Sequence, residues 1–407
     1  MNWVRTTLGE VVEIYDHIRV PLNAAQRTAR KGPYPYYGAQ GIIDSVDDYL
    51  FDGRYLLIPE DGENLNSRKL PIAFFASGRF WVNNHAHILR GRTGIAGDEF
   101  LKHALTGTDI SGYITGAAQP KLSQENLKRI ELRLPPLDVQ HRIAGILSAY
   151  DDLVGLNTRL IAILEEMARR LFDEWFVKFR FPDSETTKFL QKDEHRVPAD
   201  WPFRPFSDAV QVLSGGTPRK AESSFWGGNI PFFTPTDAKK SVFATETTDH
   251  ITETGLAKCA SQRFAPWTVF ITARGTVGRV LMAAEPMAIN QSCYALQGRD
   301  GYPQTFVYEL TRQAAAAFKQ MAHGAVFDTI VTDTFDKHEV FLPSVALAQR
   351  YDHLARPLYE SILVYLRQNS SLRAARDLLL PKLISGEIDV SGAEPPVERV
   401  TNQAAAE

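Results

Sequence analysis

Leu127-Lys-Arg-Ile130-Glu-Leu132-Arg-Leu134-Pro135-Pro136 recurs 208 residues later as Phe335-Asp-Lys-His338-Glu-Val340-Phe-Leu342-Pro343-Ser344. Each copy alternates apolar and polar residues and stops at a proline. That is the pattern of a short, half-buried strand whose ladder ends where an N–H is missing. Each then gives way to helix-like sequence with Gln and Arg in its first turns, Gln140-His141-Arg142 and Gln349-Arg350. The starts of the halves also match, because residues 3–14 and 201–213 each join a Trp to a short apolar strand. A period this long within 407 residues makes the chain a tandem of two similar units.

Between these landmarks the sequence is rich in short strands. In the first half they lie at 34–38, 55–58, 73–75 and 86–89, separated by Gly, Pro and Asn turns. The second half echoes them at 230–233, 269–271 and 288–291. The expected class is α+β, with two domains of irregular, mostly antiparallel sheet.

A helix follows each domain. Positions spaced alternately three and four, the signature of a coiled-coil seam, run through Ile143, Ile146, Tyr150, Leu153, Asn157, Leu160, Leu164, Met167 and Leu171. Shifting by 212 gives Ala355, Leu358, Ile362, Tyr365, Asn369, Leu372, Arg376, Leu379 and Leu383. Asn157 falls on Asn369, and one polar residue in an apolar seam can fix register, since slippage would strand its amide in hydrocarbon. Chance placement is the alternative. Pro357 either kinks the second helix or starts its straight part.

The expected organisation is a first domain at 1–137, a helix at 138–181 and a mixed-charge linker at 182–200. A second domain at 201–344, a helix at 345–386 and a disordered polar tail at 387–407 complete it. The two helices are expected to pair antiparallel, with an internal pseudo-twofold repeat.

Composition narrows the function classes. Apolar residues make up 44%, which suits a globular protein. No apolar run approaches the ~18 residues of a membrane span, and residues 1–14 contain no signal-like apolar h-region, so export is not expected. Cys259 and Cys293 are too few for a disulfide framework or a thiolate zinc site. A cytoplasmic location is expected. The net charge of −3 weighs against a simple nucleic-acid binder. However, residues 345–386 carry six basic against three acidic side chains, and 387–407 one against five. The acidity therefore sits largely in the tail.

Catalytic signatures are missing from the sequence. It contains no Walker A motif and no glycine-rich strand–loop–helix followed by an acid. Asp183, Glu185 and Lys188 have the wrong spacing for a nuclease metal site. His85 and His87 share one face of a strand without a third ligand, which suggests a structural or DNA-facing role. The 273–278 loop offers at most one anionic contact, through Arg274. No catalytic residue and no metal ligand is expected.

What remains is an ordered series of weak motifs. The second half carries Ser214-Gly215-Gly216-Thr217-Pro218, Phe225-Trp226-Gly227-Gly228-Asn229-Ile230-Pro231-Phe232-Phe233-Thr234, Arg274-Gly275-Thr276-Val277-Gly278 and Ala288-Ile289-Asn290-Gln291. The first carries Tyr34-Pro-Tyr-Tyr37-Gly38-Ala39-Gln40-Gly41 and Gly116-Ala117-Ala118-Gln119-Pro120-Lys121-Leu122. In this order, across about residues 3–388, they resemble the specificity subunits of type I restriction–modification enzymes. The halves depart from one another at residues 324–330, which stand where the first half has its Gln119-Pro120-Lys121 segment.

The resemblance implies a subunit that is not catalytic by itself. Each domain would read one half of a split, asymmetric site in double-stranded DNA. Two methyltransferase subunits would dock on the helices, and motor–nuclease subunits would complete the enzyme. S-adenosylmethionine, ATP and Mg2+ would belong to those partners, and this chain would bind no cofactor and no membrane. The competing reading is a stand-alone DNA nuclease or methyltransferase with an unrecognised active site.

Side chains able to reach base edges or phosphates are expected on the loops. In the first domain they are Arg27, Arg30, Lys31, Tyr37, Gln40, Asn64, Arg68, Lys69, Asn84, Gln119 and Lys121. In the second they are Thr217, Arg219, Lys220, Thr236, Lys239, Lys240, Arg274, Thr276 and Gln291. Tyr37, Phe225, Trp226 and Phe233 are expected to pack rather than stack on bases.

Overall fold

A computed structural model describes residues 3–116, 118–192, 195–323 and 329–393. The chain divides into two compact units, one of residues 1–154 and 371–407, the other of 155–370. Both long helices run through both units.

In the first unit β1 (Val4–Thr7) pairs with β8 (Glu131–Leu134), bringing the quoted strand against the N-terminus. The main sheet holds β2 (Val12–Ile14), β3 (Tyr34–Gly38), β4 (Gly41–Val46), β5 (Phe51–Pro59), β6 (Phe74–Val82) and β7 (Ala86–Gly91). Their spatial order is β2-β7-β5-β6-β3-β4. All pairs are antiparallel except β3 with β6. Leu56, Ile58 and Leu89 on one face meet Phe100, Leu101, Leu127, Ile143 and Leu147. Phe51, Leu57, Phe80 and Ile88 fill the other face. Leu380 and Leu383, from the far end of the second long helix, close the first of these cores. Each such buried aliphatic side chain contributes about 1.5–3 kcal/mol.

The second unit repeats the plan with a divided sheet. Strand Phe203–Pro205 pairs with Glu339–Phe341, as β1 pairs with β8. A five-stranded sheet is built on Val210–Ser214, Cys293–Gly298, Val269–Thr272, Val280–Ala283 and Phe243–Ala244. A separate three-stranded sheet centres on Trp226–Phe233, whose parallel neighbour is Ala288–Ile289.

The repeat extends to single hydrogen bonds. Leu8 N–H donates to the Ile130 carbonyl and Phe206 N–H to that of His338, at 2.8 and 2.7 Å. Arg92 N–H donates to Val11 and Arg299 N–H to Ala209. Gly91 N–H meets the Asp98 carboxylate where Gly298 N–H meets the Gln304 side-chain carbonyl. Both positions need glycine, because a Cβ would lie 2.2 Å from the Ala96 oxygen or 1.9 Å from that of Tyr302.

The first long helix is Leu137–Phe172, followed by a wider five-residue turn, so it ends well before the expected residue 181. Gln140, almost fully buried, fixes its start: the amide donates to the Ile95 and Pro135 carbonyls and accepts from Gly97 N–H. The second runs unbroken through Val345–Ser385, with Pro357 inside it. In the first unit Arg376 meets Asp151 at 2.6 Å. In the second, the Tyr351 hydroxyl donates to the Ala168 carbonyl and Asn157 meets Asn369. One index falls as the other rises, so the helices pair antiparallel within each unit.

The expected seam needs correction on the first helix. Leu153 and Met167 are about half exposed, whereas Leu147, Ile161, Ala168 and Phe172 are buried. The heptad spacing is kept, but one seam row lies one residue further on, at Leu147, Ile161 and Ala168 in place of Ile146, Leu160 and Met167. All nine expected positions on the second helix are at least partly buried.

Two further expectations change. The 182–200 linker holds a hairpin of Phe189–Lys192 and His195–Pro198. The supposed tail starts ordered, because Val390 is buried in the first unit's core. Residues 394–407 lie outside those described.

Candidate DNA-recognition surfaces

In the first unit four loops are laced together by backbone bonds. Asn83 N–H donates to the Tyr37 carbonyl, Glu60 N–H to His85 and Leu122 N–H to Glu60. Thr115 and Lys121 exchange N–H bonds at 2.8 and 2.7 Å. These bonds gather Tyr37, Gln40, Asn84, Gln119 and Lys121 at one end of the sheet. All but Tyr37 are exposed. Tyr37 is half-buried against Phe74 and Phe80, and burial raises its hydroxyl pKa.

The second unit has the same lacing. Asn290 N–H donates to Phe233, Ala273 N–H to Ser292 and Ile330 N–H to Ala273, at 3.0, 2.7 and 3.1 Å. Asn83 and Asn290 each turn the side-chain oxygen to the N–H two residues on. Asn84 and Gln291 are therefore equivalent, as are Glu60 and Ala273, and Asp61 and Arg274. The lacing gathers Thr217, Thr236, Arg274, Thr276 and Gln291. Thr217 donates its hydroxyl to Gln291, and Thr276 to the Pro235 carbonyl at 3.3 Å. Residues 324–328 of the divergent segment, and Ala117, lie outside those described.

Several candidates stand apart from these surfaces. Arg27 and Lys31 share Asp44, whose carboxyl they and the Ser45 N–H hold down to about 2. Arg30 pairs with Asp47 and lies over the Trp81 ring. Asn64 is buried, with both amide ends bonded to the Leu70 backbone, so it does not face solvent. Arg68 also turns inward. In a left-handed conformation with φ 51°, it donates to the Thr106 and Thr108 carbonyls at a helix end. These two were misread because a loop position says nothing about which way a side chain turns. Lys69 is exposed beside them.

In the second unit Arg219 and Lys220 are exposed on a separate loop. Lys239 meets Glu246 at 3.2 Å, and Glu246 also touches Ser370 on the second long helix. Lys240 lies near Glu165 on the first long helix, and its charge opposes the burial that raises that carboxyl's pKa. Trp226 packs on Phe232, and Phe233 is fully buried, as expected of packing residues.

Sequence reasoning missed Arg19, Glu60 and Asp61, which hold the first surface from beneath. No local sequence signal marks them, because their partners come from distant stretches of the chain. Among the described residues no group of three or more His, Cys, Asp or Glu is arranged to hold a metal ion. None of the described helices is long and apolar enough to cross a membrane.

The model of the type I restriction modification DNA specificity domain matches residues 1–166 and again 198–351. The chain belongs to that family. Two matches in tandem agree with the duplicated surfaces, and the chain is a type I restriction–modification specificity subunit. It is 25% identical over 403 residues to the HindI specificity subunit of Haemophilus influenzae, covering 83% of this chain and 84% of that one. It is 27% identical over 296 residues to the MjaIX specificity subunit of Methanocaldococcus jannaschii, covering 72% and 66%. Its fold matches the specificity subunit structure from M. genitalium with a TM-score of 0.65 at 15% identity, covering 94% and 96%.

Proposed function

We propose that this specificity subunit reads a bipartite, asymmetric target in duplex DNA, one half-site per recognition domain. The observation that carries the reading is the duplicated surface, with three matching backbone bonds and different exposed side chains. The exposed set is Gln40, Asn84, Gln119 and Lys121 in one unit and Arg274, Thr276 and Gln291 in the other. Arg and Gln offer bidentate contacts to G and A, so unlike sets imply unlike half-sites.

The chain works in the cytoplasm and catalyses nothing alone. Two methyltransferase subunits dock on the long helices, and motor–nuclease subunits join through them. Exposed apolar residues on the helices, Leu156, Ile163, Met167, Leu354, Val364 and Leu378, support such docking. S-adenosylmethionine, ATP and Mg2+ belong to those partners.

The test is methylation in vitro followed by sequencing of modified adenines. The isolated chain should leave DNA unmodified, and adding the methyltransferase subunit should yield one two-part motif. Methyl transfer by the isolated chain would favour a stand-alone enzyme instead.

A further inference from the structure

The first unit buries a polar network that the DNA-reading proposal does not use. His87, 1% exposed on β7, places Nδ1 2.6 Å from Asp16 and Nε2 2.8 Å from the Leu122 carbonyl. Both ring nitrogens thus lie within hydrogen-bond distance of an oxygen. Asp16 also accepts from Ile88 N–H at 2.9 Å and the Gln124 amide at 3.0 Å. Burial pushes the Asp16 carboxyl up, but these partners outweigh it and hold the pKa below the usual value.

The network reaches the surface through two residues. Arg19 lies 3.5 Å from Asp16 and 2.8 Å from Glu60, and also donates to the Ala86 carbonyl. Glu60 lies 3.4 Å from the half-exposed Lys121 ammonium. Four separate stretches of chain, 16–19, 60, 86–88 and 121–124, thereby meet in one network that ends on Lys121. Burying so many charged groups is costly unless each is paired, and replacing such clusters with apolar residues is often neutral or stabilising. The second unit makes that replacement. Tyr294 stands where His87 does and packs on Phe335, and Ala273 stands where Glu60 does. The fold does not need the network.

We propose that Asp16, His87, Arg19 and Glu60 are positioning residues that aim Lys121 and its loop at the DNA, so that one half-site alone depends on them. The inference rests on the DNA-reading proposal. Its test uses the assembled methyltransferase complex, with KM for DNA, kcat and the methylated motif measured for each variant. Glu60→Ala copies the second unit's residue at a partly exposed position, so it should fold. It should raise KM about tenfold, in the range of one lost base or phosphate contact, with kcat unchanged. Base preference should relax in one half-site only.

Lys121→Ala should do the same, and the double variant should be no worse than Lys121→Ala. His87→Ala should relax the same half-site, and His87→Gln, which keeps a donor, should restore part of the preference. Unchanged preference in both halves, or equal loss in both, would overturn the proposal and leave the network a plain packing device. If the parent complex gave no two-part motif, the DNA-reading proposal itself would fail. A normal parent motif with an unresponsive Glu60→Ala would sink the positioning role alone.

Discussion

The two units solve one construction problem with different chemistry. Beneath its surface the first holds an ionic network of Asp16, His87, Arg19 and Glu60. At the matching place the second holds Tyr294 against Phe335, which also packs on Phe206 and Phe318. The helix pair shows the same contrast in milder form. In the first unit Asp151 bridges Lys102 and Arg376. In the second, Asn157 donates to Asn369 at 3.0 Å and to Gln368 at 3.3 Å, without charge. The backbone frame therefore tolerates ionic or apolar support.

The contrast predicts the largest effect for Phe335→Ala. It should destabilise the second unit by about 3–5 kcal/mol, as truncating a buried aromatic does. His87→Ala should instead destabilise the first unit, because it removes a partner of the buried Asp16 carboxylate. Denaturant melts followed by hydrogen exchange in each unit would separate them. A Phe335→Ala loss below one kcal/mol would show that the aromatic cluster is not the second unit's support.

Next in size is Asn157→Ala, which leaves the Asn369 amide buried with fewer partners, at about 1–3 kcal/mol. Replacing both with Leu should recover stability. If the pair sets register, the double variant should also lose the single spacing between its methylated half-sites. A recovered variant with unchanged spacing would leave chance placement as the explanation.

Acid should affect Asp16 and Glu309 in opposite directions. Asp16 has a folded pKa below its unfolded value, so its contribution is present above about pH 4 and is lost as pH falls through the lower folded value. Glu309, in the second unit, is raised by burial despite the Arg312 and Tyr359 contacts. Its carboxylate costs the folded state stability as pH climbs above the ordinary Glu range, so acidification relieves the second unit. Asp16→Asn and Glu309→Gln should each flatten the profile of their own unit alone, measured between about pH 3 and 7.

The smallest effect concerns salt. Lys121→Ala should flatten the salt dependence of DNA binding by about 0.9 in log–log slope, one phosphate's worth. Lys239→Ala, whose ammonium pairs with Glu246 beside the second helix, should change it less. Equal slopes would place both lysines in the same role.

Much of this was legible before any coordinates. The 130/338 repeat placed the strand pairs, and the Gln140 and Gln349 turns placed the helix starts, because alternation and prolines act locally. The helix seam was only half legible. Leu153 and Met167 fit a heptad, yet one row of the real seam lies one residue on, at Ile161 and Ala168, because which side of the helix is covered depends on what packs against it. Among the site residues, exposed loop tips such as Gln40, Asn84 and Gln291 could be read from turn chemistry. Asn64 and Arg68 could not, since their partners lie elsewhere in the chain. Nor could the Asp16–His87 pair, separated by 71 residues.

The lacing bonds run from main chain to main chain, as with Asn83 to Tyr37 and Asn290 to Phe233. A main-chain bond keeps no record of the side chain it carries. Exposed residues on these loops can thus change at a stability cost within about half a kcal/mol, while the contact they make with a partner changes outright. Such a protein can drift to a new target by single substitutions without passing through an unfolded intermediate. Its two halves can drift at different rates, the apolar-supported half with fewer coupled positions to change at once.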